Sequence, residues 1–284
     1  MSEARHTRDM RDTSDHAGLP RSLLADPAYG PLRGLLLTLT VVTGVVDAVS
    51  ILALGRVFVA NMTGNVVFAA FALVGAPGFS LSASLFALAG FLIGAYGGGH
   101  LIARTATDRG SMLRAAAVVE LVLVAVALVV AGLSGDPGVA HGTLQLAHGE
   151  SDAFGAAVTD ALAALLAVAL GVQNAVARRL AVPDLTTTVL TMTLTGLGAD
   201  ILALFGKEDG SRAARAAANA TFGRRLLAVA AMVIGAAGGA SLALRVSPLS
   251  GLALATALLA VAAAGITLAT RRPAGWRQFP AQRR

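Results

Sequence analysis

The chain has 284 residues, 56% of them hydrophobic and only 13% charged, with a mean hydropathy of +0.73. That is about half the ~25% charge of a soluble domain, which excludes an ordinary water-soluble globule. With no cysteine, disulfides, Cys-ligated zinc and thiol catalysis are excluded as well. The net charge of +6 would suggest nucleic acid in a soluble protein. Here the basic residues lie in tails and loops beside apolar runs, where they read as positive-inside anchors, so no nucleic acid is expected.

Residues 1–32 are polar and mixed in charge, without an early apolar stretch. They read as a disordered tail rather than a cleavable signal. Apolar runs of spanning or near-spanning length follow at 33–54, 58–75, 81–103, 112–133, 157–177, 185–205, 224–245 and 249–270. A 22-residue helix is ~33 Å long, enough for the ~30 Å hydrocarbon core. The second run is short, opens on Asn61-Met62-Thr63-Gly64-Asn65 and stops at Gly75-Ala76-Pro77-Gly78. The sixth carries Thr186, Thr187, Thr188, Thr191, Thr193, Thr195 and Asp200. These two runs are either full spans or re-entrant segments that enter and leave by one face.

Loop charges decide between them. With eight spans and a cytoplasmic N-terminus, Arg104, Arg109, Arg114, Arg178 and Arg179 would lie outside, and the acidic loop 134–156 inside. That inverts the positive-inside rule. If runs two and six are re-entrant, those arginines, loop 207–225 and Arg271-Arg272 all become cytoplasmic, and only Arg56 and Arg245 stand on the wrong side. The expected fold class is therefore an all-α integral membrane protein with six transmembrane helices and two re-entrant or broken segments. The expected organisation is a tail (1–32), a first membrane repeat (33–133), an external loop (134–156), a second repeat (157–270) and a basic cytoplasmic tail (271–284).

An internal repeat points the same way. Gly44–Val49, GVVDAV, returns as GVQNAV at Gly171–Val176, and Asn61-Met62-Thr63 is echoed by Thr191-Met192-Thr193. Phe91-Leu92-Ile93-Gly94-Ala95 with Gly97-Gly98 is echoed by Met232-Val233-Ile234-Gly235-Ala236 with Gly238-Gly239. Each half contains three spans, an odd number, so the halves have opposite orientation. Inverted repeats with broken helices are a common transporter plan.

The stretch TGVVDAVSILALGRVFVANMTGNVV at 43–67, with its weaker second copy, resembles the YoaK family of bacterial membrane proteins. The resemblance covers about residues 33–270. It implies a polytopic bacterial inner-membrane protein without an assigned activity, and it supplies no catalytic residues.

Ionisable and amide groups at membrane depth default to functional candidates. Asp47, two-thirds along the first span, is either a proton or cation site or partner of a cationic substrate, or else a structural hydrogen-bond partner of a neighbouring helix or of the re-entrant backbone. Its counterpart Asn174 cannot titrate. Asn61, Thr63 and Asn65 read as the turn of a discontinuous helix, with Gly64 allowing the bend; their polar groups either coordinate a solute or satisfy the freed backbone. The threonine series, including Thr191 and Thr193, either lines a polar path or back-bonds within its own helix. Glu120, near the middle of the fourth run, joins Asp47 as a proton-coupling candidate. His100 reads as an interfacial histidine, Trp276 as an interfacial anchor, and Gly97-Gly98-Gly99 and Gly238-Gly239 as packing notches. His141 and His148, with Glu150 and Asp152, lack the tight spacing of a metal motif. No cofactor or metal is expected.

No G-x-S-x-G, phosphate-binding loop, dinucleotide fingerprint or HExxH motif is present, so neither an enzyme nor an ATP-driven pump is expected. The expected function is a secondary transporter or permease for a small solute in the bacterial inner membrane, with both termini cytoplasmic. Its pathway would lie where the two re-entrants meet. The alternative is a non-transporting scaffold that binds lipid or a partner. The bilayer and a small solute are the expected partners, and self-association is compatible with either reading. Single cysteines introduced at Ser80 and Ser111 separate the topologies. Six spans predict that an impermeant maleimide labels position 80 from outside and spares 111, and eight spans predict the reverse.

Overall fold

A computed structural model describes residues 29–105, 107–135, 154–182, 190–205, 212–271 and 274–279. Among them there is no strand. The helices are α1 (Leu32–Ala53), α2 (Met62–Leu73), α3 (Leu81–Arg104), α4 (Arg109–Ser134), α5 (Ala156–Leu180), α6 (Leu190–Phe205), α7 (Arg212–Arg245) and α8 (Pro248–Thr270). A short 3-10 turn, Gly275–Arg277, closes the described chain. Six helices are long and apolar enough to cross a bilayer: α1, α3, α4, α5, α8 and the Ala217–Arg245 portion of α7. At 12 residues, α2 is about 18 Å long and cannot span.

Polar residues punctuate the apolar runs. Ser80 caps α3 by accepting from the Ala83 amide (3.1 Å), and Asp108 caps α4 by accepting from Gly110 (2.8 Å) and Ser111 (3.0 Å). Ser247 caps α8, with Pro248 in the first turn, where its missing N–H costs nothing.

Helix directions follow from the residues in contact. Gly90, Gly94 and Gly98 of α3 face the backbone of Ala164, Val168 and Val172 of α5 in turn, so these two helices run the same way. Gly235 and Gly239 of α7 likewise face Val41 and Val45 of α1. Gly251 lies on Val49 and Gly265 near Leu35, so α8 runs against α1. Gly110, at the start of α4, meets Thr270 at the end of α8. Gly135 after α4 meets Phe154 before α5, and Ser82 of α3 bonds Asp160 of α5 (3.0 Å).

One face therefore collects the end of α1 and the start of α3, so α2 leaves and returns by the same side. The other collects the end of α5 and the start of α7, and α6 stands to it as α2 does to the first. Three spans per half with opposite sense make an inverted repeat, as the charge pattern predicts.

The sequence echoes are the two sides of matching helix contacts. A Cβ on Gly44 would sit 2.5 Å from the Met232 carbonyl oxygen and 2.8 Å from the Ala236 nitrogen. On Gly171 it would sit 2.4 Å from the Phe91 carbonyl oxygen and 2.9 Å from the Ala95 nitrogen. Each half thus lends its first helix to the other half's third segment. Lipid offers no hydrophobic drive for helix association, and backbone contact through glycine supplies dispersion instead. Helices α1 and α5 line the centre, with α4 and α8 beside them.

The C-terminal turn returns over the face where α1 starts. Trp276 is buried there, its ring on Gly30 and its far edge near Gly110. The indole, expected at the interface, packs inward at the end of the bundle, because Gly30 and Gly110 leave the space it fills. Arg277 pairs with Asp108 and also donates to the Thr270 carbonyl (2.9 Å). Burial pulls the Asp108 carboxyl upward, but hydrogen bonds from Arg277 and Ser111 outweigh it and hold the group at about 2, below its ordinary 3.8.

Two outcomes are expected. Gly94→Val and Gly235→Val, which place side chains on backbone, should each cost about 1–3 kcal/mol, read as a lower melting temperature in detergent. Gly97→Val, which meets nothing within 4 Å, should not. Because the folded pKa of Asp108 is depressed, its contribution is complete above about 3.8 and is lost as pH falls towards 2. Emission from Trp276, the only tryptophan, should shift to the red in that window, and already at neutral pH in Asp108→Asn.

Candidate functional site

Helix α1 stops at Leu54, whose amide still bonds the Ser50 carbonyl (3.0 Å). Gly55 and Arg56 then adopt positive φ, +71° and +57°. Left-handed backbone at a non-glycine residue costs roughly 1–2 kcal/mol, so Arg56 is held there by its surroundings. Its guanidinium lies over Phe79 (5.7 Å to the centroid) and against Gly78. The bend is thus at Gly55-Arg56, not at Gly64 as the sequence suggested. Gly64 lies in the first turn of α2, where a Cβ would be 2.5 Å from the Phe58 ring. Its small size serves packing.

After the bend the chain turns back into the bundle, burying Val57, Val59 and Ala60. Their amides need partners at a depth where lipid offers none. One oxygen of Asp47 accepts from both Val59 N–H (3.0 Å) and Ala60 N–H (3.1 Å). Asp47 is 4% exposed and lies six residues before the end of α1, about 9 Å inside it. Asn65, fully buried, takes the next peptide at both ends. Its Oδ1 accepts from Phe58 N–H (2.9 Å), and its Nδ2 donates to the Phe58 carbonyl (2.6 Å). Phe58 stacks on Phe68, which with Phe71 and Phe79 forms an aromatic cluster holding α2 against its flanking loops.

Of the residues singled out in the sequence, Asp47, Gly64 and Asn65 therefore converge on one feature, the segment Phe58-Val59-Ala60. Asn61 and Thr63 belong to the same turn, but their side chains are exposed. Asn174 is on α5 and donates to the Leu170 carbonyl of its own helix (3.0 Å). Thr193 is buried and Thr191 exposed on α6. Thr195 bonds the Thr191 carbonyl (2.9 Å), the back-bonding expected of threonine in lipid. Glu120 is fully buried, about 17 Å from the start of α4 and so near mid-membrane. Thr186, Thr187, Thr188, His141, His148, Glu150 and Asp152 lie outside the described residues. His100 stacks against Tyr96 (4.7 Å).

One central contact was not anticipated. Gln173 Nε2 donates to Thr43 Oγ1 (3.0 Å), which itself donates to the Leu39 carbonyl (3.0 Å). Both side chains are buried. This bond joins α1 to α5 and so joins the two repeats. The signal was in the sequence: within the GVVDAV/GVQNAV echo, Gln173 is a polar residue where the first copy has Val46. On the basic side, Asp200 of α6 pairs with Arg225 of α7 (2.8 Å), whose guanidinium covers Gly196.

Fold and geometry define a class: a multi-pass helical membrane protein built as an inverted repeat, with a broken segment tethered at depth by a carboxylate. A family model described as "Protein of unknown function (DUF1275)" matches residues 35–265, and the chain belongs to that family. The family includes YoaK-like membrane proteins, as the motif resemblance implies. No match was found among curated proteins or solved structures.

The tether has a measurable worth. Asp47→Ala strands two buried amides, at about 1–3 kcal/mol each, whereas Asp47→Asn keeps an acceptor oxygen. The alanine variant should lose several degrees in melting temperature relative to the asparagine variant. Equal stability of the two would remove the tether from the account of the fold.

Proposed function

We propose that this protein is a secondary transporter or permease that moves a small solute across the bacterial inner membrane through its re-entrant segments. The observation that carries the reading is the break between α1 and α2, where backbone at membrane depth is tethered by the Asp47 carboxylate within an inverted repeat. Non-helical backbone at that depth is otherwise found buried in protein or lining a cavity, and such breaks mark the binding regions of many transporters. Asn61 and Thr63, exposed at the head of α2, are the polar groups that would meet the solute, with Thr191 as the matching position on α6. Asn65 and Gly64 hold the turn behind them, and Asn174 and Thr193 occupy related places in the second repeat. Asp47 and Glu120 are the groups that would carry a coupled proton or cation.

The half-helix end of α2 carries partial positive charge, and in many transporters such ends face an anionic solute. Here a protein carboxylate already supplies the negative charge, which favours a neutral or cationic solute. The face bearing Arg33, Arg104, Arg109, Arg114, Arg178, Arg179 and Arg271 would be cytoplasmic by the positive-inside rule, which puts both termini inside.

A specific observation favours the second reading, a scaffold or lipid-binding protein without transport. Both Asp47 hydrogen bonds go to the re-entrant backbone, and Asn65 bonds both ends of Phe58 and the Met62 sulfur at its own helix start. Asp47→Asn separates the two. In proteoliposomes a transporter coupled through this charge should lose at least about tenfold in flux, equivalent to about 1.4 kcal/mol on the barrier, while the variant stays folded, because asparagine keeps the acceptor but carries neither charge nor proton. A folded Asp47→Asn protein with undiminished flux of the same solute removes Asp47 from the coupling role. A wild-type protein that moves no member of a broad solute panel favours the scaffold.

A further inference from the structure

Helices α3 and α4 make little contact with each other, although both pack on α5. Between them lies a groove of about 400 Å³ floored by Val168 and Val172 of α5. Ile93, Gly94, Gly97 and Leu101 form one wall, and Val119 and Leu123 the other. His100 and Arg104 stand at one end and supply its only basic side chains. From Ile93 to Arg104 the trough runs about 17 Å along α3, close to the ~15 Å depth of one leaflet's hydrocarbon, half of the ~30 Å core. Arg104 is the last residue of α3, on the face that also carries Arg109, Arg114, Arg178 and Arg179.

The geometry points to a binding site for one anionic phospholipid, with an acyl chain along the groove and its headgroup phosphate between His100 and Arg104. Three observations fit that occupant. The groove is apolar along its length and cationic only where a headgroup would lie, so its polarity runs in the same sense as a lipid's. Its charged end is on the basic face, where juxtamembrane arginines attract anionic headgroups. The second repeat differs at the matching place. Gly238, the counterpart of Gly97 in the repeat, is approached by Leu254 of α8 at 3.9 Å, whereas Gly97 has nothing within 4 Å. Ser241 stands where the first repeat has His100. The groove is therefore particular to the leaflet beside the basic face, and it does not depend on whether the protein transports.

The test uses the full-length protein purified in detergent and exposed to an equimolar mixture of phosphatidylglycerol and phosphatidylcholine, with retained lipid counted by native mass spectrometry. The wild type should retain phosphatidylglycerol over phosphatidylcholine by about fivefold or more, the factor for one basic residue near an anionic headgroup. Arg104→Gln should remove that preference. Gly97→Leu, whose Cβ meets nothing within 4 Å and whose side chain would occupy the groove, should lose bound lipid of both kinds at an unchanged melting temperature. Arg245→Gln, at the related position of the second repeat, should behave as wild type. Equal retention of the two lipids by the wild type overturns the proposal, as does a preference that survives both Arg104→Gln and Gly97→Leu. A change of oligomeric state in Gly97→Leu with lipid retention intact would assign the groove to a second copy of the chain, and that too overturns it.

Discussion

A peptide chain that turns back inside a bilayer must bring its own hydrogen-bond partners, because hydrocarbon supplies none. In this protein that constraint is met by Asp47 and Asn65. The carboxylate takes the amides of Val59 and Ala60, and the side-chain amide takes both ends of Phe58. Everything about the topology depends on this tether. It lets α1 end, the chain re-enter, and the short α2 start at depth, so that α3 begins on the face where α1 ended. The half then has an odd number of spans, and a second copy is forced into the opposite orientation.

The opposed halves interlock where the backbone is bare. Helix α1 packs on α7 and α5 on α3, each pair through glycine against carbonyl oxygen. The exchange makes the halves interdependent, since neither first helix packs chiefly within its own repeat. Between them, the Thr43–Gln173 bond is a polar contact of the two central helices. Polar bonds of this kind in membrane proteins average only about 0.6 kcal/mol, so its value lies more in setting the register of the two helices than in stability.

Symmetry of backbone does not extend to chemistry. Where the first repeat has Asp47, the second has Asn174, bonded within its own helix. The second instead carries an ion pair, Asp200–Arg225, that fixes α6 to α7 towards the basic face. The two repeats also differ beside the matching glycines: Gly97 borders the groove between α3 and α4, whereas Leu254 of α8 approaches Gly238. The two repeats thus place different polar groups towards the two sides of the bundle.

Much of this was legible before any coordinates. Hydropathy marks the spans because each must cover the hydrocarbon core with an unbroken helix. The arginines separate six spans from eight because charge on the wrong side is costly. The echoes Gly44/Gly171 and Gly94/Gly235 announce the repeat because only glycine admits a carbonyl oxygen at those distances. Asp47 could be singled out on desolvation cost alone. Its partners could not, because Val59 and Ala60 enter the bond through backbone amides that carry no side-chain signal. For the same reason the bend was expected at Gly64 and found at Gly55-Arg56, where φ depends on how the loop is held. Residue chemistry and spacing thus determined class, span number and the opposed sense of the two repeats. Only the tertiary structure decided what the buried polar groups hold and that Gln173 meets Thr43, because those pairings join segments far apart in sequence.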